Sequence, residues 1–585
     1  MMKAALLIAL LLCLPFSLAE ESINPKRITE ATFHIIKSGT IKMNGGIASA
    51  NLTVSIPQKG IESLKVDAEN WRLINDSNGN RLLLLEWGSR SADVPYKVEI
   101  TVKNNAIYTS MKKLGSNDAY LKGNAQITFN DKMRDAAFPY ERTLTRASQL
   151  AMFVHDYLTY DLSLAGELKP SDWVMDNRRG VCVEFANLLS SLLKISGIPT
   201  RYVIGYAYSS IENKLVGHTW VEILAEDGTW IPIDPTWNQV GYLDATHVVT
   251  AYQQDANQSE TFTYSTYGGK AEWVRNDDVL DLADYSESDV SHIRIETKDF
   301  NAGEKGYIKA NITTGTCMIA ELRMNACASE GGQVLLPYEP SKKVFACGSR
   351  ELYWFFNVSE SLKPTFVYSC PVTIYSQTGS SAQKTISISG EEKVYATPSI
   401  SGPETAATGE KIYLVADSEE DFIFYNDDLG ASTIKEWEFS FPRPGNNVFY
   451  LYSDGGLDIK TVKVSREREF IINVRMPENA SEGNVTISIG VTNIANSSRT
   501  AVVSVALGSN SKKQDITINS GRNAQANFTF AATGGKHAVQ VSVASNGIYS
   551  YDGILEIKSN APEGNGNIIS AILAFFESLL KGIFG

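Results

Sequence analysis

Apart from the C-terminal end, helical periodicity is confined to a narrow window of this chain, and that distribution limits the fold more than any other feature. Thr143–Leu158 places Leu144, Ala147, Leu150, Ala151, Val154 and Leu158 at helical spacing. A second helix is expected from about Val181 to Ile195, with Phe185, Leu188, Leu189, Leu192 and Leu193 on one face. Gly197 ends it and Pro199 forbids continuation. Almost everything else alternates with a period of two. Residues 28–130 carry short runs at Ala50–Ile56, Arg81–Glu86 and Tyr96–Val102, separated by Asn-Gly and Ser/Gly turns, and predict an all-β module. After the helices come strand-like segments at Arg201–Tyr208, Gly217–Leu224 and Thr229–Ile233. Residues 136–290 therefore read as an α+β domain, helices first and sheet second. From about 291 onward the helical pattern vanishes, and turn signals at roughly 8–12-residue spacing suggest tandem immunoglobulin-like sandwiches. Such modules are more often spacers or adhesive surfaces than ligand binders.

The expected layout is a signal peptide (1–19), an N-terminal β-domain (20–135), the α+β domain (136–290), and β-sandwiches at 291–395, 396–466 and 467–558. A linker (559–566) and a C-terminal apolar helix (567–585) follow. Lys3, the apolar run Ala4–Leu18 and the small-x-small site Ser17-Leu18-Ala19 make the leader a secretory signal rather than a retained anchor. A 43% hydrophobic content rules out wholesale disorder. The formal net charge of -13, with no dense Lys/Arg run, argues against nucleic acid as a partner. In the last helix, Ile568, Ile569, Ile572, Leu573, Phe575, Phe576, Leu579, Leu580, Ile583 and Phe584 form an apolar stripe opposite Ser570, Ala574, Glu577, Ser578 and Lys581. Nineteen residues span only ~28 Å, barely the hydrocarbon thickness, and Glu577 opposes crossing. Membrane association in the interface fits better, with a spanning anchor or a docked helix as alternatives.

The cysteines divide unevenly. Cys13 falls within the leader, Cys317, Cys327, Cys347 and Cys370 cluster in the 291–395 block, and Cys182 stands alone. The four lack CxxC or Cys/His spacing, so two disulfides in an exported compartment are the better reading than zinc, with three connectivities open. Nine Asn-x-Ser/Thr triplets fit export with modest weight. The acidic run Asn276–Asp281 lacks the spaced ligands of a calcium loop and reads as a solvated face. Gly268-Gly269-Lys270 has no phosphate-loop context. No metal or other cofactor is expected.

Cys182 opens the second helix, where unpaired N–H groups and the positive dipole end favour a thiolate and could receive an oxyanion. On residue identity alone a buried structural cysteine is the commoner case; its partners decide. His218 begins one strand, in GHTWVEI, and Asp234 ends the next, in WIPIDPTW. A thiol nucleophile needs an imidazole to move its proton, and the imidazole needs a carboxylate to fix its tautomer. Register decides whether Asp234 can serve. With Glu226-Asp227-Gly228 as a three-residue loop, Trp220 lies opposite Asp234 and His218 sits on the diagonal, within reach. Gly228 occupies the left-handed place that such a loop requires. A two-residue loop would put His218 and Asp234 on opposite faces.

The stretch GVCVEFANLLSSLLKISGIPTRYVIGY, then GHTWVEI, then WIPIDPTW, resembles the transglutaminase-like superfamily of papain-type thiol enzymes, in particular the transglutaminase-like domains of exported prokaryotic proteins. The resemblance covers about residues 145–250. It implies Cys182 as nucleophile, His218 as general base and acid, and Asp234 as its orienter. It also implies an oxyanion hole using the nucleophile's backbone N–H with help from an upstream side chain. Trp173 and Tyr160 are candidates for that help, although core packing is the commoner role for each. Trp220 and Trp237 are candidates to line the acyl cleft. Glu184 reads as a favourable first-turn charge, and His155 and His247 as structural. The implied function is that of a surface thiol enzyme cleaving or transferring amide bonds of protein or peptide substrates, a peptidase before a crosslinker. The rival is a non-enzymatic envelope or adhesion protein, with cell-envelope proteins as partners and the α+β core as scaffold.

Overall fold

In the computed structural model the described residues are 23–559, apart from 139, 256–259, 330–331, 419, 466–468, 478, 496–497 and 546–547. The leader and the C-terminal apolar stretch lie outside them. No helix among the described residues is long and apolar enough to cross a membrane. The chain divides into two compact units at Val464/Ser465.

The α+β core is built around one helix. Helices α1 (Asp131–Ala137), α2 (Leu144–Tyr157) and α3 (Ser171–Asn177) pack against α4 (Cys182–Ile195). The apolar face anticipated for α4 is buried, and so are its polar residues Glu184, Asn187, Ser191 and Lys194. A helix surrounded on all sides tolerates such groups only when they are paired. Asn187 accepts from the Tyr202 hydroxyl at 2.6 Å and donates to the Lys169 carbonyl at 2.8 Å. Ser191 bonds Ser171 at 2.7 Å, and the Lys194 ammonium reaches the Lys122 carbonyl at 3.0 Å. The helix ends where expected: Gly197 takes a φ of +72°, and the Ile198 and Gly197 N–H groups return to the carbonyls of Leu193 and Lys194 at 2.9 and 3.0 Å.

An antiparallel sheet covers the other side of α4. Its strands are β1 (Thr200–Ser209), β2 (Lys214–Leu224), β3 (Trp230–Asp234), β4 (Gln239–Val240) and β5 (Val248–Gln253), in the order β4-β3-β2-β1-β5. The β2–β3 register pairs Val221 with Ile233 and Leu224 with Trp230, as the three-residue loop requires. Ala225 donates to Thr229 at 2.8 Å, Gly228 donates back to Ala225 at 3.0 Å, and Gly228 has a φ of +82°. A side chain there would strain the turn that sets the site's register.

The flanking β-domains follow, with one redistribution. Strands 261–267, 270–275 and 279–287, expected in the α+β domain, pair instead with Ile47–Ser55 and Ile28–Asn44 and complete the N-terminal sandwich. Long-range pairing decides this, and local alternation carries no record of the partner. Conversely, residues 107–127 leave that sandwich for the α+β core, through bridges Ile107–Leu243 and Leu114–Ala225 and the buried Ile127. Asp278 corrects the solvated-face reading. It is buried against Arg275 (2.8 Å), the Tyr206 hydroxyl (2.5 Å) and Lys37 (3.8 Å).

The cysteine-rich module pairs Cys317 with Cys347 and Cys327 with Cys370. The second bridge belongs to the module's own core. The first lies at a seam: Cys317, Ile319 and Phe345 are buried in the same cluster as Phe185, Leu189 and Ile233. The Cys317 N–H also donates to Thr109 at 2.6 Å. A further sandwich over 396–464 closes the first unit, and the described residues of the second unit form two sheets of three and five strands in an immunoglobulin-like sandwich.

Candidate functional site

The position of Cys182 is set by a tight entry into α4. Arg178 adopts a left-handed φ of +54°, and Arg179–Gly180 forms a short parallel ladder with Thr159–Tyr160. Val181 is the N-cap and has no side-chain acceptor; Glu184 reaches back instead. Its carboxylate accepts from the Val181 N–H at 3.0 Å and the Lys169 N–H at 3.1 Å. Glu184 is thus a buried clamp on the helix start, more than a first-turn charge, and burial raises its carboxyl above the ordinary range. A Cβ at Gly180 would lie 2.2 Å from the Glu184 Cβ, so glycine is required there.

Cys182 is the free cysteine of the described residues and is buried. Its side chain lies near enough to His218 to raise the ring's pKa. On the far side of that ring, His218 Nε2 lies 2.8 Å from Asp234 Oδ2. With Nε2–H donated to the carboxylate, Nδ1 is the ring nitrogen left to serve the thiol. The other carboxylate oxygen, Oδ1, accepts the N–H groups of Thr236 at 2.8 Å and Trp237 at 3.3 Å, which locks the Asp234 rotamer.

The site holds its charges firmly. Burial pulls the His218 ring down, but the charge and hydrogen bond of Asp234, with Cys182, more than offset it, and its pKa is pushed up to about 10. Burial alone would raise Asp234; His218 and His247 overcome it and hold the carboxyl well below the usual carboxylate range.

His247 is the residue that sequence reasoning missed. Read as structural, it places Nε2 3.1 Å from the same Asp234 Oδ2 and Nδ1 3.2 Å from Asp244 Oδ1. Its only local signal was the Asp244-Ala245-Thr246-His247 spacing beside the site. The facing atoms of His218, Asp234 and His247 lie within 4.8 Å of one another, close enough to seat an ion. Both rings hydrogen-bond the same Asp234 oxygen, at 2.8 and 3.1 Å, and the three side chains are 0–1% exposed. His155 supports the same loop, with Nδ1 3.2 Å from the Pro235 carbonyl.

The tryptophans and tyrosine separate. Trp237 stacks on His218, with ring centroids 5.2 Å apart and planes 12° apart, and it touches Tyr160 at 6.1 Å. Tyr160 also meets Phe185 and sits near enough to Cys182 for burial and the thiol's charge to raise its phenol. Trp220 does not line a cleft. It is fully buried, beneath His218 and edge-on to His247, because its strand position faces the core. Trp173 occupies a packing position between the Lys169 ammonium and the Arg179 guanidinium.

The site thus sets a cysteine at the start of a central helix beside a histidine and an aspartate on adjacent antiparallel strands. Residues 130–235 match the family model of the transglutaminase-like superfamily, and the chain carries that core flanked by β-domains. Over 101 residues it is 29% identical to a protein-glutamine gamma-glutamyltransferase of Pseudomonas aeruginosa, covering 16% of this chain and 15% of that relative. The chain thus spans about 15% of the length of the curated relative it matches. Among solved structures it is similar to a proposed cysteine protease from Cytophaga hutchinsonii (16% identity, 44% of this chain and 93% of that one, TM-score 0.32). It is also similar to the tandem Ig repeats of Dlar (10% identity, 30% and 98%, TM-score 0.20).

Proposed function

We propose that the protein is an exported, surface-associated cysteine enzyme that cleaves amide bonds of peptides or proteins through a thioester acyl-enzyme. The observation that carries this is His218 set between Cys182 and Asp234, bonded to the carboxylate at 2.8 Å and near enough to the thiol for its ring to respond to it. Cys182 as thiolate attacks the carbonyl carbon, and the oxyanion is received by N–H groups at the start of α4. His218 gives its Nδ1 proton to the leaving amine, so the C–N bond breaks and the acyl group stays on sulfur. Water then gives a proton to His218 and attacks the thioester, releasing the acid and the thiolate. Asp234 keeps the ring in the productive tautomer throughout. Tyr160 and Trp237 flank the reacting atoms.

Two disulfides support an oxidising compartment. Anchoring through 567–585 rests on the sequence pattern alone, and deleting Ala561–Gly585 should release the protein from membranes. A second reading, transfer of the acyl group to an amine, is favoured by the likeness to the Pseudomonas protein-glutamine gamma-glutamyltransferase. Digesting a peptide library with and without a primary amine separates the two. Cleavage products lost in Cys182→Ala support hydrolysis, and amine adducts lost in the same variant support transfer. Identical product profiles for wild type and Cys182→Ala would instead leave the scaffold reading standing.

A further inference from the structure

The row of buried charges behind the site does not stop at Asp234. His247 stands between two carboxylates, with Nε2 on Asp234 Oδ2 and Nδ1 on Asp244 Oδ1. Counting donors fixes its state. Asp244 Oδ1 accepts the Thr246 N–H at 2.9 Å and its hydroxyl at 2.5 Å, and Oδ2 accepts from Gln239 at 2.6 Å. Each of these partners donates, so Asp244 is used as an acceptor on both oxygens and is a carboxylate. Asp234 likewise accepts two backbone N–H groups and His218. A ring with an acceptor at each nitrogen must donate from both.

We infer that His247 is a permanent imidazolium, and that the Asp244–His247 pair is a positioning and charge-balancing device for the thiol site. This rests on the proposed role of Cys182. The signs then alternate along the row: Asp244 negative, His247 positive, Asp234 negative, His218 positive when Cys182 is a thiolate. The His247 ring centroid is 5.7 Å from that of His218. Its charge shares Asp234, which would otherwise act on His218 alone, and it favours proton release from the thiol. Burial would pull the His247 ring down, but Asp244 and Asp234 more than offset it. The other charged groups near the row are Lys26, which feels Asp244, Asp234, Glu321 and Lys343 and donates to Gln377 at 2.7 Å, and Glu321, bonded to Asn238. Trp220 closes the ring's edge.

The test has two arms, both on the full chain in chelator-treated buffer. In the first, histidine-selective 15N labelling reads the ring nitrogens of wild type at neutral pH, with His247→Gln identifying the signal. Both nitrogens of His247 protonated is the expected result; a neutral tautomer overturns the inference, whatever Cys182 does. In the second, the alkylation rate of Cys182 by iodoacetamide is followed against pH. His247→Gln and Asp244→Asn should both move the rising limb upward by about one pH unit, or about tenfold in rate on that limb. Asp244→Asn keeps the bond to Asp234 while letting His247 lose its proton, so a shift there reports charge rather than packing. Two folded variants with wild-type profiles overturn the inference. A wild-type Cys182 that resists alkylation would instead refute the enzyme reading and leave the ring measurement decisive.

Discussion

Replacing Asp234 with asparagine is the sharpest local perturbation of the site, because the carboxylate accepts four hydrogen bonds and no amide can do the same. Oδ2 takes His218 and His247, and Oδ1 takes Thr236 and Trp237. If the amide oxygen faces the two rings, its NH2 confronts two backbone N–H groups. If the amide is flipped, the NH2 confronts two imidazole N–H groups and drives His218 toward the tautomer that points a proton at Cys182. Either orientation leaves two buried donor–donor conflicts and removes the counter-charge of two rings. Breaking a buried ion pair in this way costs about 3–5 kcal/mol, and the wrong histidine tautomer costs about 10⁴-fold in acyl-transfer rate. Urea unfolding of the full chain reads the first quantity in the transition of the first unit. Turnover of a peptide identified by library digestion reads the second. An Asp234→Asn protein with wild-type stability and wild-type turnover would refute the reasoning from hydrogen-bond count to tautomer.

Gly180→Ala should destabilise by about 3 kcal/mol, since the new Cβ displaces Glu184 from the two N–H groups it clamps; urea unfolding and Cys182 alkylation should both register it. His218 has a folded pKa raised above its unfolded value, so its contribution to stability is complete below about pH 6.5 and is lost as pH rises toward about 10. Thermal midpoints should therefore fall across that window in wild type and fall less in His218→Gln. Removing the Cys317–Cys347 bridge, with its sequence separation of 30, should cost about 4 kcal/mol and slow Cys182 alkylation, because that bridge lies in the α4 cluster. Removing Cys327–Cys370 should cost a similar amount of stability and leave alkylation unchanged.

Much of the site was legible because its determinants are local. Helix α4 runs from Cys182 to Ile195 as its periodicity and Gly197 dictate, and Gly228 alone selects the hairpin register that brings His218 to Asp234. Helices α1 and α3 were not anticipated. Each has seven residues, too few turns to show a period. The return of 261–287 to the first sandwich is long-range pairing, and so is the seating of Cys317 in the α4 cluster; alternation records a strand's faces but not its neighbour. The four cysteines left three connectivities open, and only cross-strand pairing of Cys317 with Cys347 resolves them. His247 escaped because its chemistry resides in who faces it. A histidine in Thr246-His247-Val248 carries no sign of two carboxylates until β3 and the following loop fold around it.

The central claim, that Cys182 is a nucleophile activated by His218, is met most directly by intact-mass analysis after brief iodoacetamide treatment of the native protein near neutral pH. Cys182 is the free thiol of the described residues, and peptide mapping tells its adduct from one on Cys13. The account predicts rapid single labelling mapped to Cys182, greatly slowed in His218→Gln and absent in Cys182→Ala. A native protein that gains no adduct until it is denatured, or one that labels equally fast without His218, would contradict it.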